Sequence, residues 1–364
     1  MLVKNLPTKR TFFVVTNAVN RKNGANGSMI DLIIALKKTY KVSVFTLVRP
    51  PIIGLFESLI NIGIVSYSWF SLLIYQYILN KPEVIFFIGD ASLKQILSFK
   101  YIYPDAKLMI FQTGDIKNNK LEFSKIDILD YVLFESPGQM DDFNNTYKNN
   151  QDKSILLRPT IKEKKFNQCT EMPLNIDFFN NNIIINFVII GSIQERKNQL
   201  LAIQFCQILK EKYHLNLKLF IVGPFVDDNY KETIENFVSK NKLDDYIIFT
   251  GFQKKYSDYL CQAHIVLSFS KEEGLSTIIR ESLYLGRLIV ATNIPGNAGT
   301  LNKENSILFD LNNNIDALVN NFISVLSDRN KTYVMMNNSK KTYLKNHSIK
   351  KYSEKLESII CSEI

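Results

Sequence analysis

A chain of 364 residues with three histidines and four cysteines has little imidazole or thiol chemistry to offer. His214, His264 and His347 are far apart and read as structural or exposed, so none is a catalytic candidate. Cys169, Cys206, Cys261 and Cys361 are scattered, and no pair has metal-ligand spacing. Cys206 and Cys261 fall in apolar helical patterns. All four read as reduced thiols of a reducing compartment. No G-x-G-x-x-G occurs, which removes the dinucleotide fingerprint. Met1 to Arg10 has no apolar run, so a secretory signal is not expected. No nucleic-acid-binding module is legible, so nucleic acid is not expected as a partner.

The chain does have an alternation of apolar strands and amphipathic helices, and it has length for two domains. At 46% hydrophobic residues it can bury large cores. Thr11 to Thr16 reads as a buried strand, followed by a loop, Asn17 to Gly27, that carries Gly24 and Gly27. A helix over Ser28 to Lys38 and a strand over Lys41 to Leu47 complete a βαβ unit. Val84 to Ile88, Leu108 to Phe111 and Tyr131 to Phe134 are further strands. Each ends in a polar loop; Gln112-Thr113 and Glu135-Ser136 stand in two of them. Ser58 to Leu79 is uncharged and apolar. Asn61, Ser66, Ser68, Ser71 and Gln76 argue for a buried or interfacial helix rather than a membrane span, and Trp69 suits an interface. Ile161 to Asn182 loses periodicity and reads as an inter-domain linker. A second βα series begins at Ile183. The spacing of Ile349, Tyr352, Leu356 and Ile359 predicts a last amphipathic helix. The expected organisation is α/β. Residues 1–165 form one Rossmann-like, doubly wound domain and 166–345 a second, with a helix over about 346–364 packing back on the first. Two such ligand edges imply one cleft.

The richest stretch is Ser268 to Thr292. A strand runs into a polar turn, a helix starts near Ser276 and stops at Gly286, and a buried strand follows. Ligands of open α/β sheets bind at such strand ends. Gly274 lets the backbone approach a ligand without a Cβ in the way. Gly274, Leu275, Ser276 and Thr277 offer unpaired N–H groups at a helix N-terminus, which is an anion site. Glu281 lies about 7 Å further along the helix axis at 1.5 Å per residue, and Glu273 stands before the helix. Two carboxylates flanking an anion site suit a ligand with hydroxyls at both ends and phosphate between. The net charge of +9 agrees with anionic partners. Its densest part is Lys340, Lys341, Lys345, Lys350, Lys351 and Lys355, which suits anionic lipid.

These elements resemble, in order, the family 4 glycosyltransferases of the GT-B fold. The matching residues are Gly191 with Arg196-Lys197-Asn198, Ile221-Val222-Gly223, Phe249-Thr250-Gly251-Phe252, Ser268 to Gly274, Glu281, and Gly296 before Leu308-Phe309. The resemblance implies two domains facing across a cleft and a nucleotide-sugar donor bound by the second. Lys197, with Arg196, would meet the donor diphosphate. Glu273 would hold the sugar and Glu281 the ribose hydroxyls. Gly251 and Phe252 would meet the base, and Gly191 and Ser192 would line the donor site. Members often carry Arg where this chain has Ser192. They also often have a His on the acceptor side, where Gln112 and Thr113 stand here beside Gly24 and Gly27.

The implied reaction is retaining transfer without a protein nucleophile. The acceptor hydroxyl attacks from the side the nucleotide leaves. No Asp-x-Asp occurs, so neither a metal nor a cofactor is expected. The expected donor is a UDP-sugar and the acceptor a glycan or lipid-linked glycan of surface polysaccharide such as lipopolysaccharide or capsule. The expected location is cytoplasmic or peripheral on the inner face of the plasma membrane. A sugar-nucleotide epimerase and an inactive glycan-binding subunit are the alternatives.

Overall fold

The computed structural model describes residues 11–16, 33, 36, 41–46, 66–68, 81–88, 91–112, 123–169, 177–180 and 182–363. The chain divides into two compact units, Met1–Ile161 with Ile349–Ile364, and Lys162–Ser348.

In the first unit, seven parallel strands form one sheet: β1 (Thr11–Thr16), β2 (Lys41–Thr46), β3 (Ser66–Ser68), β4 (Val84–Ile88), β5 (Lys107–Gln112), β6 (Tyr131–Phe134) and β7 (Ser154–Leu156). Their order is β3-β2-β1-β4-β5-β6-β7. The chain therefore switches direction of growth between β1 and β4, as in doubly wound sheets. Both faces are covered, which is why β4 reads Val-Ile-Phe-Phe-Ile with every residue buried. Alternate residues serve opposite faces. Phe12, Val14, Phe86 and Met109 face one cluster, while Phe13, Val15, Phe87 and Leu108 face another. The helices α1 (Leu93–Ile102), α2 (Phe123–Ile128) and α3 (Pro137–Thr146) supply Ile96, Phe99, Ile126 and Phe143 to the second cluster.

The second sheet has β8 (Ile185–Ile190), β9 (Leu217–Val222), β10 (Ile247–Gly251), β11 (Ile265–Ser268), β12 (Leu288–Thr292) and β13 (Ile307–Phe309). It is parallel throughout in the order β10-β9-β8-β11-β12-β13. Its helices are α4 (Gln199–Tyr213), α5 (Asp228–Lys240), α6 (Ser257–Gln262), α7 (Thr277–Leu285), α8 (Ile315–Ser327) and α9 (Arg329–Asn346). The switch point falls between β8 and β11, and their carboxyl ends lead into Gly191 to Lys197 and Phe269 to Gly274. Gly286 ends α7 in the left-handed conformation at φ 61°.

The last helix, α10 (Ile349–Glu363), places Tyr352, Leu356, Ile359 and Ile360 in the first core cluster with Phe12 and Phe86. Each such fully buried apolar side chain contributes about 1.5–3 kcal/mol relative to exposure.

Several expectations change here. The run Ser58 to Leu79 is not one helix, because Ser66–Ser68 pairs with β2 as an edge strand; its remainder, with Trp69, lies outside the described residues. From Lys162 on, the stretch read as a linker is part of the second unit, where Glu163–Phe166 forms a 3-10 turn. The cysteines are not all free thiols. Cys169 and Cys261, 92 residues apart with Cα atoms 5.1 Å from each other, form a disulfide, while Cys206 is buried and free. The spacing gave no sign of this, since it takes the fold to bring the two together. Among the described residues no helix is long and apolar enough to cross a membrane.

Candidate active site

The site is built at the switch point of the second sheet. After β8, the chain turns through Gly191 and a 3-10 segment, Glu195–Lys197, before α4 begins. After β11, residues Phe269 to Ser276 lead into α7. The two loops are tied by backbone and side chain. Lys271 N–H donates to Arg196 O at 2.8 Å, and Arg196 Nη1 donates to Glu272 O at 2.8 Å. Gly296 allows a third loop to close in, because a Cβ there would lie 2.2 Å from Glu273 O and 2.3 Å from Gly274 O.

Glu273 Oε1 is the focus of this cluster. Lys197 Nζ donates to it, Arg196 Nη1 lies 3.1 Å from it, and Ser270 Oγ donates to it at 3.3 Å. The Lys197 and Glu273 side chains are 17% and 14% exposed, so the pair is shielded yet reachable. Gly191 takes φ 146°, and a Cβ on it would meet the Lys197 stem at 3.5 Å. Two cations on one carboxylate leave a net positive charge at the mouth of α7. Ser276, its N-cap residue, makes no side-chain capping bond there, so the first N–H groups of α7 add to that field. The arrangement can hold a diphosphate between cations and helix mouth.

Glu281, one turn into α7, differs. It is 0% exposed. Lys165 Nζ donates to its Oε1 at 3.0 Å and Tyr256 Oη to the same atom at 2.9 Å. Its Oε2 has no hydrogen-bond partner among the described residues. Burial alone would lower the Lys165 pKa, but the Glu281 and Tyr256 oxygens outweigh it and hold the ammonium above its ordinary value. Burial, then Glu281, pushes the Tyr256 phenol up to about 12.

The structure thus brings Lys197, Arg196 and Glu273 together and sets Glu281 in the adjoining helix. Leu275 is buried at 3%, so its side chain serves the core and only its backbone serves the helix mouth. Ser192 Oγ accepts from Gln194 Nε2 at 2.6 Å, and Gln199 Nε2 donates to Ser192 O at 3.0 Å, which stiffens the turn. Gly251 ends β10 at φ 65°, and Phe252 beside it is 65% exposed. In the first unit, Gln112 ends β5 and is buried with Glu135 and Ser136, which follow β6. Gly24, Gly27 and Thr113 lie outside the described residues.

Sequence reasoning missed Lys165, Tyr256 and the Cys169–Cys261 bridge. Lys165 sat in an aperiodic stretch, and the partners of Glu281 lie 116 and 25 residues away from it. The histidines have their contacts elsewhere. His264 Nδ1 accepts the Asn186 N–H at 2.9 Å, His347 is buried beside Tyr343, and His214 caps α4 in the left-handed conformation. A cavity of about 830 Å³ exists in the first unit, but Tyr131 and Ser154 place it at the amino ends of β6 and β7, opposite the ligand edge.

Comparisons with known proteins bear on the fold and on the second unit. Residues 179–342 match the family model described as glycosyl transferases group 1. No curated protein sequence matches the chain. Among solved structures, HepE from Anabaena in complex with UDP and glucose is similar at TM-score 0.76 and 12% identity, over 97% of this chain and 100% of that one. A glycosyltransferase from Rickettsia africae is similar at TM-score 0.77 and 18% identity, over 96% and 97%. The lipopolysaccharide outer core galactosyltransferase WaaB in its apo form is similar at 0.73 and 13%, over 97% and 100%. At these identities the structures speak for the GT-B fold alone; the family match falls on the unit that carries Lys197, Glu273 and Glu281. Over residues 179–342 that unit is similar to the group 1 glycosyl transferases.

Proposed function

We propose that the chain is a retaining hexosyltransferase that moves a sugar from a UDP-sugar to a hydroxyl of a glycan or lipid-linked glycan. One observation carries this reading: Arg196 and Lys197 converge on Glu273 at the mouth of α7. A nucleoside diphosphate sugar matches that mouth, with the diphosphate on the two cations and the helix N–H groups and the sugar beside Glu273. The bond from the anomeric carbon to the diphosphate oxygen breaks. Arg196 and Lys197 offset the charge that grows on the leaving nucleotide, where such stabilisation lowers a barrier most. The acceptor oxygen bonds to the same carbon from the same face, and its proton passes to the departing phosphate oxygen. Glu281 accepts from the ribose hydroxyls, and the exposed Phe252 and Gly251 backbone meet the base.

Two cations and a helix mouth supply the charge that a divalent metal supplies elsewhere, so transfer needs neither metal nor cofactor. Activity abolished by EDTA and restored by manganese would overturn that. Uridine is favoured because the similar Anabaena structure holds UDP and glucose. A surface polysaccharide acceptor, such as lipopolysaccharide or capsule, is favoured by the likeness to a lipopolysaccharide galactosyltransferase. Lys340, Lys341, Lys345, Lys350, Lys351 and Lys355 are all exposed, which suits a protein working at the anionic inner face of the plasma membrane. Flotation with anionic liposomes tests this, and protein that stays at the bottom of the gradient counts against it.

The central test is a thermal-shift panel of UDP-, GDP-, ADP- and CMP-sugars, since a ligand of the native state raises its midpoint. A selective shift with a UDP-sugar, lost in Lys197→Ala, is expected. No shift with any nucleotide sugar would refute the reading.

A further inference from the structure

Three segments distant in sequence close on Glu281 in a triangle. Lys165 Nζ donates to Glu281 Oε1 at 3.0 Å and to Tyr256 Oη at 2.7 Å, and Tyr256 Oη donates to Oε1 at 2.9 Å. The ammonium also lies 4.9 Å from the centroid of the Tyr256 ring. Both bonds to the carboxylate fall on one oxygen. The other, Oε2, is buried with no hydrogen-bond partner among the described residues. A buried acceptor without a donor carries a desolvation penalty. The triangle fixes the carboxylate by one atom and leaves the second, closed to solvent, without a donor.

The segment that brings Lys165 is itself fastened on several sides. Phe166 packs against Tyr284 of α7 with ring centroids 5.9 Å apart. Tyr343 of α9 donates to Glu163 Oε1 at 2.7 Å. Gln168 donates to Asp258 of α6 at 3.4 Å, and Cys169 is bonded to Cys261. So much anchoring around one half-exposed lysine is what a preorganised site requires.

We propose that Lys165, assisted by Tyr256, is a positioning residue for nucleoside recognition. It anchors Glu281 by Oε1, so that when a nucleoside displaces what covers this fully buried carboxylate, Oε2 accepts from the vicinal hydroxyls of the ribose. This rests on reading the site as one for a nucleoside diphosphate. Lys165 does not touch the reacting atoms. It acts through the orientation and charge balance of Glu281, because a buried carboxylate stripped of its counter-charge is unstable.

The experiment is calorimetric titration of the full chain with UDP and with 2′,3′-dideoxy-UDP. The wild type is expected to favour UDP by about tenfold or more, the scale of hydrogen bonds to a charged group. In Lys165→Met the preference should fall to about threefold or less, with dideoxy-UDP affinity within about twofold of the wild type. Lys165→Arg should restore most of it. Tyr256→Phe, which keeps the charge and the ring, should give an intermediate preference and serves if the methionine variant does not fold. A purely structural lysine would weaken both nucleotides equally. A lysine that merely occupies the ligand's place would, once removed, tighten UDP. Either result, or a full preference retained in both Lys165→Met and Tyr256→Phe, overturns the proposal. If the wild type binds neither nucleotide, the nucleoside diphosphate reading itself fails. If it binds both alike, only the ribose role fails.

Discussion

The loop before α7 and the second turn of α7 each present a glutamate to a lysine, and they are built on opposite plans. Glu273 is partly exposed and shared by two cations from a neighbouring loop at the same sheet edge. Glu281 is fully buried and tied to a lysine and a tyrosine from segments far off in sequence. The first arrangement has more positive than negative charge and awaits an anion. The second pairs its charges and keeps one oxygen unoccupied. Charge is therefore concentrated where a diphosphate is expected, and geometry is fixed where a neutral diol is expected.

The largest effect that sharpens this contrast is on turnover. Glu273→Gln is expected to lower kcat by about 10²-fold or more, on the scale of losing a preorganised transition-state contact. Its affinity for UDP should hold or rise, since the mouth then carries two uncompensated cations. Steady-state kinetics together with UDP titration check both halves. A variant that loses UDP binding instead would erase the distinction between the two ends.

Glu281→Ala should do the reverse, weakening UDP by about 10- to 100-fold, as expected for loss of a charged hydrogen bond to the ligand. The kcat at saturating donor should change less. Folding should survive, because the Lys165 side chain is 35% exposed and its freed ammonium can reach water. Equal losses in kcat and affinity would show that the two carboxylates act as one unit.

The same contrast explains what the sequence disclosed. The Glu273 end is made from two short strand-to-helix turns, Gly191 to Asn198 and Ser268 to Gly274, whose residue types and order are readable directly. Both sheets were legible too, because buried parallel strands such as Val84–Ile88 and Leu288–Thr292 are nearly continuous apolar runs. The Glu281 end was not. Lys165 stands in an aperiodic stretch with no helical or strand period, and its role appears only when the Glu163–Phe166 turn docks on α7. The Ser58 to Leu79 run misled for a related reason. Apolar content without a clear period does not separate helix from edge strand, and Ser66–Ser68 is the latter.

The bridge between Cys169 and Cys261 fastens the Lys165 segment and so offers a third way to separate the two ends. A disulfide typically contributes about 2–4 kcal/mol, mainly by constraining the unfolded chain. Reduction with dithiothreitol, or Cys169→Ser, should lower the melting midpoint of the second unit by roughly 5–15 °C. UDP preference over dideoxy-UDP should weaken with it, while the Glu273 end, which the bridge does not touch, keeps its diphosphate affinity per folded molecule. An unchanged midpoint on reduction would show that the bridge does not constrain the unit in solution.

The smallest expected effect is a pH dependence that belongs to neither carboxylate. His264 stands just before β11, where its Nδ1 accepts the Asn186 N–H at 2.9 Å and its own N–H donates to Asn186 O at 2.9 Å. Burial, then the nearby Arg287, lowers its pKa below the ordinary 6.5. The folded state therefore binds this proton less readily than the unfolded chain does. Stability from this site is fully present above about pH 6.5, the unfolded value, and is lost as pH falls toward the folded pKa. Protonation would also turn the Nδ1 acceptor into a donor facing an N–H, breaking the bond that docks the start of β8 beside the residue preceding β11. The melting midpoint should decline modestly from pH 7 to pH 5, by less than reduction of the bridge costs. In His264→Asn, whose amide oxygen can accept in place of Nδ1 and does not titrate, the curve should be flatter over the same range. An equally steep decline in that variant would assign the acid sensitivity to other groups.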